Sequence, residues 1–325
     1  VIVAFPTGPV APFDGQPGQW LRCQFHCHTT ETDGWLPPVN QRRAHAWAGY
    51  DVLVITDHDI LTATPAAVGQ DDLLLFGGTE ISLTAPRSKG MLHLLGLGIE
   101  RMPEVSRGAS LREAATAVRA AGGLPFVAHP VWSGLLMEEL DGLDICAGVE
   151  VFNSSCDVEQ SRGDSSVHWD AWLTMGHRLN GIATDDTHYP GWDSHQGWTM
   201  VHAAEKSRAG VLAALEAGRF YASAGPRILD MRIEDGELHV RTTPAARVAA
   251  LSDPAYGGQL NAGLDSLTYR ARRLITADGQ IREGVTRGEL LSGGIFPIPA
   301  KAKYVRVLVT DEHGRSAWSN PVWAE

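Results

Sequence analysis

Histidines and carboxylates recur at one structural phase along this chain, the far end of short apolar runs, and there they read as ligands for metal ions. Phe25-His26-Cys27-His28-Thr29 places two imidazoles two residues apart. On a strand such residues face the same side, so both rings can reach one ion. Asp33 follows in a loop rich in Thr, Asp, Gly and Pro. Thr56-Asp57-His58 ends the run Val52-Leu53-Val54-Ile55, and Glu80 stands in Gly78-Thr79-Glu80-Ile81-Ser82. His93 lies within Met91–Leu97, His129 precedes Pro130, and Asp186 and His188 close Asp185-Asp186-Thr187-His188. Buried without partners, such groups would each cost several kcal/mol, and divalent ions remove that cost. The set exceeds the four ligands of one tetrahedral ion, so two or three ions are expected. Mixed nitrogen and oxygen ligation suits Mn, Fe or Zn and does not choose among them.

Each signal has a plainer reading when taken alone. One His-x-His arises by chance, His93 fits a core histidine, and His129 before proline fits a turn. Asp57 is expected to orient a neighbouring histidine or cap a loop rather than touch metal. Cys27 lies between two ligands, but strand alternation turns it away from them. Among helpers, His195 in the loop Tyr189–Gly197 is a candidate proton donor to a leaving group; the alternative is an exposed loop histidine. Arg227 either grips an anionic oxygen or pins two domains together. His168 and His45 read as helix-surface residues. Trp35, Trp132, Tyr189 and Trp192 could line an apolar wall, while Arg87, Lys89 and Arg227 are the few cations near the expected mouth. No Gly-x-Ser-x-Gly elbow occurs, so the nucleophile is expected to be water activated by metal.

The elements that must position these residues alternate. Short apolar strands are read at Leu21–Cys27, Asp51–Thr56, Leu73–Phe76, Thr79–Leu83, Met91–Leu97, Leu124–Ala128, Asp144–Phe152 and Asn180–Ala183. Helical segments intervene; the clearest is Ser110–Ala121, with Ser110 as cap, Glu113 three residues on and Gly122-Gly123 at its end. This rhythm predicts a parallel sheet with helical crossovers, and about seven units favour a closed barrel. After Ser223-Ala224-Gly225-Pro226 the texture changes to short, partly alternating runs with Asp-Gly turns at 235–236 and 278–279. The expected division is a hydrolase barrel over 1–225 and a smaller, mostly β accessory domain over 226–325. That second domain is expected either to shape one wall of the pocket or to mediate homo-oligomer formation, and its Ala317–Trp323 ending is expected to pack back by its aromatics.

The formal net charge of −11 gives no electrostatic footprint for nucleic acid. The four cysteines form no paired motif. No run approaches the ~20 apolar residues of a membrane-spanning helix, and a cytoplasmic location is expected.

The motifs together resemble the polymerase and histidinol phosphatase (PHP) superfamily. Its opening pattern, roughly HxHTxxSDG, is matched by His26-Cys27-His28-Thr29-Thr30-Glu31-Thr32-Asp33-Gly34. Thr56-Asp57-His58, Glu80 after a glycine pair, His129-Pro130 and Asp186-Thr187-His188 match the rest in order, over about residues 18–225. The resemblance implies a distorted (β/α)7 barrel holding two or three metal ions. It allots His26, His28, Glu80 and Asp186 to one ion, with Glu80 shared with a second held by His93 and His129. Asp33, His58 and His188 would hold the third. Where the family usually has aspartate two residues before the first histidine, this chain has Gln24, which alters a supporting link but removes no ligand. Gly218–Pro226 and Ala317–Trp323 are similar to the carbaryl-hydrolase-like branch, whose activity is hydrolysis of an aryl carbamate ester.

The leading reading is a metal-dependent hydrolase of small esters: phosphoester, aryl carbamate or carboxyl ester. Its rivals are a phosphodiesterase or nuclease-type phosphoesterase, which the acidic charge disfavours, and a non-catalytic module that keeps an inherited metal site.

Overall fold

The computed structural model describes residues 4–67, 69, 71–137, 140–253, 256–262 and 267–325. The chain divides into a continuous unit, Gly18–Arg219, and a second unit joining the residues up to Pro17 with Phe220–Glu325. This differs from a single cut after residue 225. The N-terminal residues group with the later ones because β1 (Gly8–Pro9) runs antiparallel to residues 232–233.

The continuous unit carries β2 (Gln19–Gln24), α1 (Pro38–Trp47), β3 (Val52–Ile55), β4 (Leu74–Thr84), β5 (Met91–Leu97), α2 (Leu111–Ala120) and β6 (Leu124–Val127). It continues with β7 (Gly148–Asn153), α3 (Ser154–Gln160), α4 (Ser166–Met175), β8 (Asn180–Thr184), β9 (Trp198–Ala203) and α5 (Arg208–Glu216). Strands β2 to β8 neighbour one another in chain order, and β9 lies antiparallel on the other side of β2. The four-residue run of β3 is buried throughout, as a strand covered on both faces must be. α2 has the expected capping box: Glu113 N donates to Ser110 Oγ at 3.3 Å, and Ser110 N donates to Glu113 Oε2 at 2.8 Å.

The expectation of an all-parallel sheet is corrected. β2–β3, β3–β4, β6–β7 and β7–β8 are parallel, but β5 is antiparallel to both β4 and β6. Only residues 85–90 connect β4 to β5, too few for the dozen or more of a crossover, so the chain turns back as a hairpin. The two strands read at 73–76 and 79–83 are one long strand, β4. Past the ends of β8 and β2, Asp186 N donates to His26 O at 3.0 Å and His28 N to Thr187 O at 3.0 Å. These bonds bring the first and last site-bearing strand ends together.

The second unit is antiparallel. Its strands are β10 (Phe220–Ser223), β11 (Ile228–Glu234), β12 (Glu237–Ala245), β13 (Arg247–Leu251), β14 (Gly257–Asn261), β15 (Leu267–Tyr269) and β16 (Arg273–Ile275), then β17 (Ile281–Glu283), β18 (Leu291–Pro297), β19 (Tyr304–Thr310), β20 (Ser316–Ser319) and β21 (Val322–Trp323). One sheet runs β1-β11-β12-β18-β16-β17; the other series runs β15-β14-β13-β19-β20-β10, with β21 on β19. Asp235 and Gly236 both take positive φ at the β11–β12 turn, as a tight Asp-Gly hairpin requires. A Cβ at Gly294 would stand 2.6 Å from Leu260 Cδ1, so glycine there lets the two sheets close on each other. Trp318 is buried, and the Trp323 ring lies 5.3 Å from that of Tyr304.

Candidate metal centre

The centre starts at the end of β2. Gln24 is buried, and its Oε1 accepts from Phe25 N at 3.1 Å, His26 N at 3.3 Å and Asp185 N at 3.1 Å. Its Nε2 donates to Asp185 Oδ2 at 2.7 Å and Gly197 O at 3.1 Å. One amide thereby ties the His26 backbone to the strand end that carries Asp186. Asp57 is buried and caps the loop after His28. It accepts from Thr29 N and Thr29 Oγ1 at 2.7 Å each, from Thr32 Oγ1 at 2.8 Å, and from Thr62 Oγ1. Of its two expected roles, loop capping is the one observed. Gly34 follows Asp33 because a Cβ there would meet the His28 carbonyl at 2.5 Å.

Four ligand atoms then converge. His26 Nε2 stands 3.1 Å from His28 Nε2, from Glu80 Oε2 and from Asp186 Oδ1. His28 Nε2 stands 3.1 Å from Glu80 Oε2 and 3.0 Å from Asp186 Oδ1. Ligands sharing an ion at about 2 Å stand roughly 3 Å apart, which these spacings match. His26 Nδ1 donates to Glu150 Oε1 at 2.6 Å, so its Nε2 presents a lone pair. Two ring nitrogens and two carboxylate oxygens then face one another, and a cation is the partner they lack.

Glu80 uses its other oxygen elsewhere. Glu80 Oε1 lies 2.7 Å from His93 Nδ1 and 3.0 Å from His129 Nε2. His129 Nδ1 is taken by Ser133 Oγ at 3.1 Å, which leaves Nε2 for a ligand role. His58 Nδ1 is 3.3 Å from Glu80 Oε2, and its Nε2 is 3.4 Å from Asp33 Oδ2. His188 Nδ1 donates to Asp186 O at 2.8 Å, and its Nε2 stands 3.5 Å from the same Asp33 oxygen. Ligand atoms of His28, Asp33, His58 and His188 all lie within 4.8 Å of one another, as do those of His58, Glu80 and His93. All nine residues expected as ligands are brought together.

The electrostatics point the same way. Against burial, Asp186 and Glu80 raise His28 to about 10, and they also raise His26 with help from Glu150. Glu80, in turn, is held well below the carboxylate range by His26 and His93 despite burial. Hydrogen bonds from His188 and His58 hold Asp33 far down. A field that strong attracts protons or, in their place, divalent cations. Asp186 Oδ1 and the Nδ1 atoms of His28, His58 and His93 are buried without hydrogen-bond partners. Orphaned atoms of this kind call for a bound ion. His129 and Asp186 also take positive φ, strain that sits at functional positions more often than elsewhere. The residues present therefore fit divalent metal.

A cavity of about 330 Å³ opens onto the cluster. Besides the ligands, its lining includes Met91, Trp132, Ser155, Cys156, Glu159 and Tyr189; no lysine or arginine is among the described lining residues. Trp132 and Tyr189 take the expected wall positions. Trp35 and Trp192 do not line the cavity and are 70% and 71% exposed. His195 does not line it either; its ring lies 5.0 Å from that of His45 and 5.5 Å from that of Tyr50. His168 Nε2 is occupied by Leu135 O at 2.8 Å. Arg227 belongs to the second unit, where its N–H donates to Thr243 Oγ1 at 2.9 Å and its side chain bonds Tyr221. His45, expected on the helix surface, is fully buried under α1. Cys27 turns into an apolar cluster with Tyr50, Leu53, Ile55 and Leu73, and burial pushes its thiol well up.

Glu150 is the supporting residue that sequence reading left without a role. Beyond His26, it accepts from Thr184 Oγ1 at 2.6 Å, His129 N at 2.8 Å and Asn153 Nδ2 at 3.1 Å. Asn153 Nδ2 also reaches Asp186 Oδ2 at 3.1 Å.

No family model matches the sequence, and no curated protein matches it. Among solved structures, a two-domain protein from Bacteroides vulgatus containing a predicted PHP-like metal-dependent phosphoesterase is 18% identical. The match covers 96% of this chain and 94% of that one, with a TM-score of 0.51. What the two share is the fold. An amidohydrolase from Chromobacterium violaceum with bound sulfate is 20% identical over 61% of this chain and 96% of its own, with a TM-score of 0.43. A lesion-specific endonuclease from Pyrococcus furiosus is 11% identical over 82% of this chain and 70% of its own, with a TM-score of 0.40. The two-domain architecture, a larger mixed-sheet unit with a smaller β-rich one, is thus a known arrangement. No described helix is long and apolar enough to cross a membrane.

Proposed function

We propose that the chain is a metal-dependent hydrolase of ester bonds of the PHP type, with its chemistry in the Gly18–Arg219 unit. The observation that carries this reading is the four-atom cluster of His26, His28, Glu80 and Asp186, with Asp186 Oδ1 orphaned beside a cavity. The seven neighbouring strands from β2 to β8 are read as the distorted (β/α)7 barrel of that superfamily. His26, His28, Glu80 and Asp186 would hold one ion, and His93 and His129 a second through Glu80. Asp33, His58 and His188 would hold a third, with Mn, Fe or Zn as occupants. When bound, such ions lower the pKa of water from 15.7 to about 7 and polarise the ester oxygen. The protein's own part is to aim the imidazoles: Glu150 fixes His26, Ser133 fixes His129, and the Asp186 carbonyl fixes His188. Asp57 and Gln24 hold the loop and strand end in place and touch no ligand atom of the cluster. The 226–325 region is read as accessory; its His239 and His313 belong to no described ligand cluster.

Phosphoester is the favoured bond. The description of the two-domain relative as containing a predicted PHP-like metal-dependent phosphoesterase, at nearly full coverage of both chains, supports it. The second reading, an aryl carbamate or carboxyl ester, draws on the cavity. Its wall has Met91, Trp132 and Tyr189 but no described lysine or arginine to grip a phosphate. The likeness to the carbaryl-hydrolase branch favours the same reading. Aryl phosphates, phosphodiesters, aryl esters and aryl carbamates assayed in parallel with Mn, Fe and Zn decide it. A preference in kcat/KM above about tenfold, roughly 1.4 kcal/mol, for either class settles the bond. No turnover on any class with metal fully loaded would sink the hydrolase reading and leave a binding module.

A further inference from the structure

A second group of ligand-type side chains lies in the same unit, outside the centre built on Glu80. It consists of His45 on α1, Asp185 just past β8, and His195 in the loop before β9, with ligand atoms within 4.8 Å of one another. We propose that His45 Nε2 and His195 Nδ1, beside the Asp185 carboxylate, form a separate site for a nitrogen-preferring divalent cation such as zinc, copper or nickel.

His45 is fully buried, yet its Nε2 has no partner. Its Nδ1 donates to Gln41 O at 3.0 Å, so the lone pair is on Nε2. His195 Nδ1 is likewise buried and unpartnered. The two rings meet edge to face, with centroids 5.0 Å apart and planes at 79°. Burial holds both rings low, His45 at about 3, so both are in the neutral form that ligates metal. Leaving two buried ring nitrogens unmet costs stability, and one ion bonded to both meets both.

Asp185 lies beside the two rings, but its carboxylate is already taken by protein donors, Tyr50 Oη at 3.4 Å among them. Gln24 Nε2 at 2.7 Å and the backbone N–H groups of His195 at 2.6 Å, Gln196 at 2.9 Å and Gly197 at 2.8 Å hold its carboxylate. His195 itself takes a positive φ. Arg22 sets the class of cation. Its guanidinium lies 4.2 Å from the Tyr50 ring centroid and donates to Tyr50 Oη at 3.4 Å. That positive charge penalises magnesium or calcium, which oxygen ligands hold by charge. A borderline ion bonded to two imidazoles gains more from its bonds.

The competing occupant is a water bridging the rings. Crystals of the native protein soaked in zinc chloride are expected to give an anomalous peak bonded to both ring nitrogens, separate from those at Glu80. In solution, dialysed His45→Gln and His195→Asn are each expected to hold one zinc per chain fewer than wild type. Glu80→Gln combined with His45→Gln should lose one more than Glu80→Gln alone. Water alone between the rings, with the Glu80 ligands occupied, overturns the site. So does equal zinc content in wild type and both folded variants. Where a variant fails to fold, the native crystal decides.

Discussion

Glu150 Oε1 accepts a hydrogen bond from His26 Nδ1 at 2.6 Å, with both side chains fully buried. Through this one contact a residue that touches no ligand atom of another strand decides which face of the first imidazole is free. The other Glu150 oxygen accepts the backbone N–H of His129, so the same carboxylate positions ligands on two strand ends.

Glu150→Gln tests that arrangement. The amide keeps the shape but loses the charge that favours the Nδ1–H form. Metal affinity is expected to fall about 10–100-fold, as for other partners that orient metal-bound histidines. Metal titration of the purified variant measures it. Unchanged affinity would mean that His26 is oriented by its strand alone.

Glu80→Gln should do more. Its two oxygens serve different neighbours, Oε2 facing His26 and His28, Oε1 facing His93 and His129. Losing the charge should empty both groups together and cut turnover beyond the about 100-fold typical of an outer partner. Asp141→Asn is a suitable control, since its exposed pair with Arg112 is worth little. Near-native turnover and full metal content in Glu80→Gln would refute the sharing.

Much of this centre was legible in the sequence because most of its ligands follow apolar runs: His26, His28, His58, His129, Asp186 and His188 lie just past strand ends, whereas Glu80 and His93 stand inside β4 and β5. The period-two spacing of His26 and His28 and the break after Val52–Ile55 carry that signal directly. What stayed hidden depends on contacts between distant positions. Glu150 meets His26 across 124 residues, and nothing local to either announces it. The reversal of β5 escaped notice because a buried antiparallel strand and a buried parallel one have the same apolar pattern. His45 was misread for a related reason. α1 leaves its apolar Val39 and Trp47 exposed and buries Gln41, Arg42 and His45 instead, through partners such as His28 O and Asp71.

The burial of His45 has a consequence for stability against pH. Burial, with His195 and Arg22 adding to it, holds its folded pKa at about 3, below the ordinary 6.5. Below pH 6.5 the unfolded chain binds a proton that the folded chain refuses, so stability falls as pH drops from 6.5 toward 3. The slope from one such group approaches about 1.4 kcal/mol per pH unit. Urea midpoints of chelator-treated wild type and His45→Gln at pH 7 and pH 5 measure it. The wild-type midpoint should fall more on acidification; parallel shifts in the two proteins would show that His45 is not the group responsible.

The cavity wall gives the last prediction. Trp132 lies edge to face with His129, ring centroids 4.9 Å apart, and 6.3 Å from His93. It therefore stands beside the ligands that share Glu80 Oε1, on the cavity wall. Trp132→Ala removes an aromatic contact worth about 0.5–1.5 kcal/mol, which is about 2- to 10-fold in binding. If the substrate's aryl group packs there, KM should rise by that factor for aryl esters and stay put for alkyl esters of the same acid. Metal content is the safeguard, because Trp132 also steadies His129. A loss of bound metal, with kcat falling equally for both ester series, would make Trp132 a support for the histidine and remove it from the substrate wall.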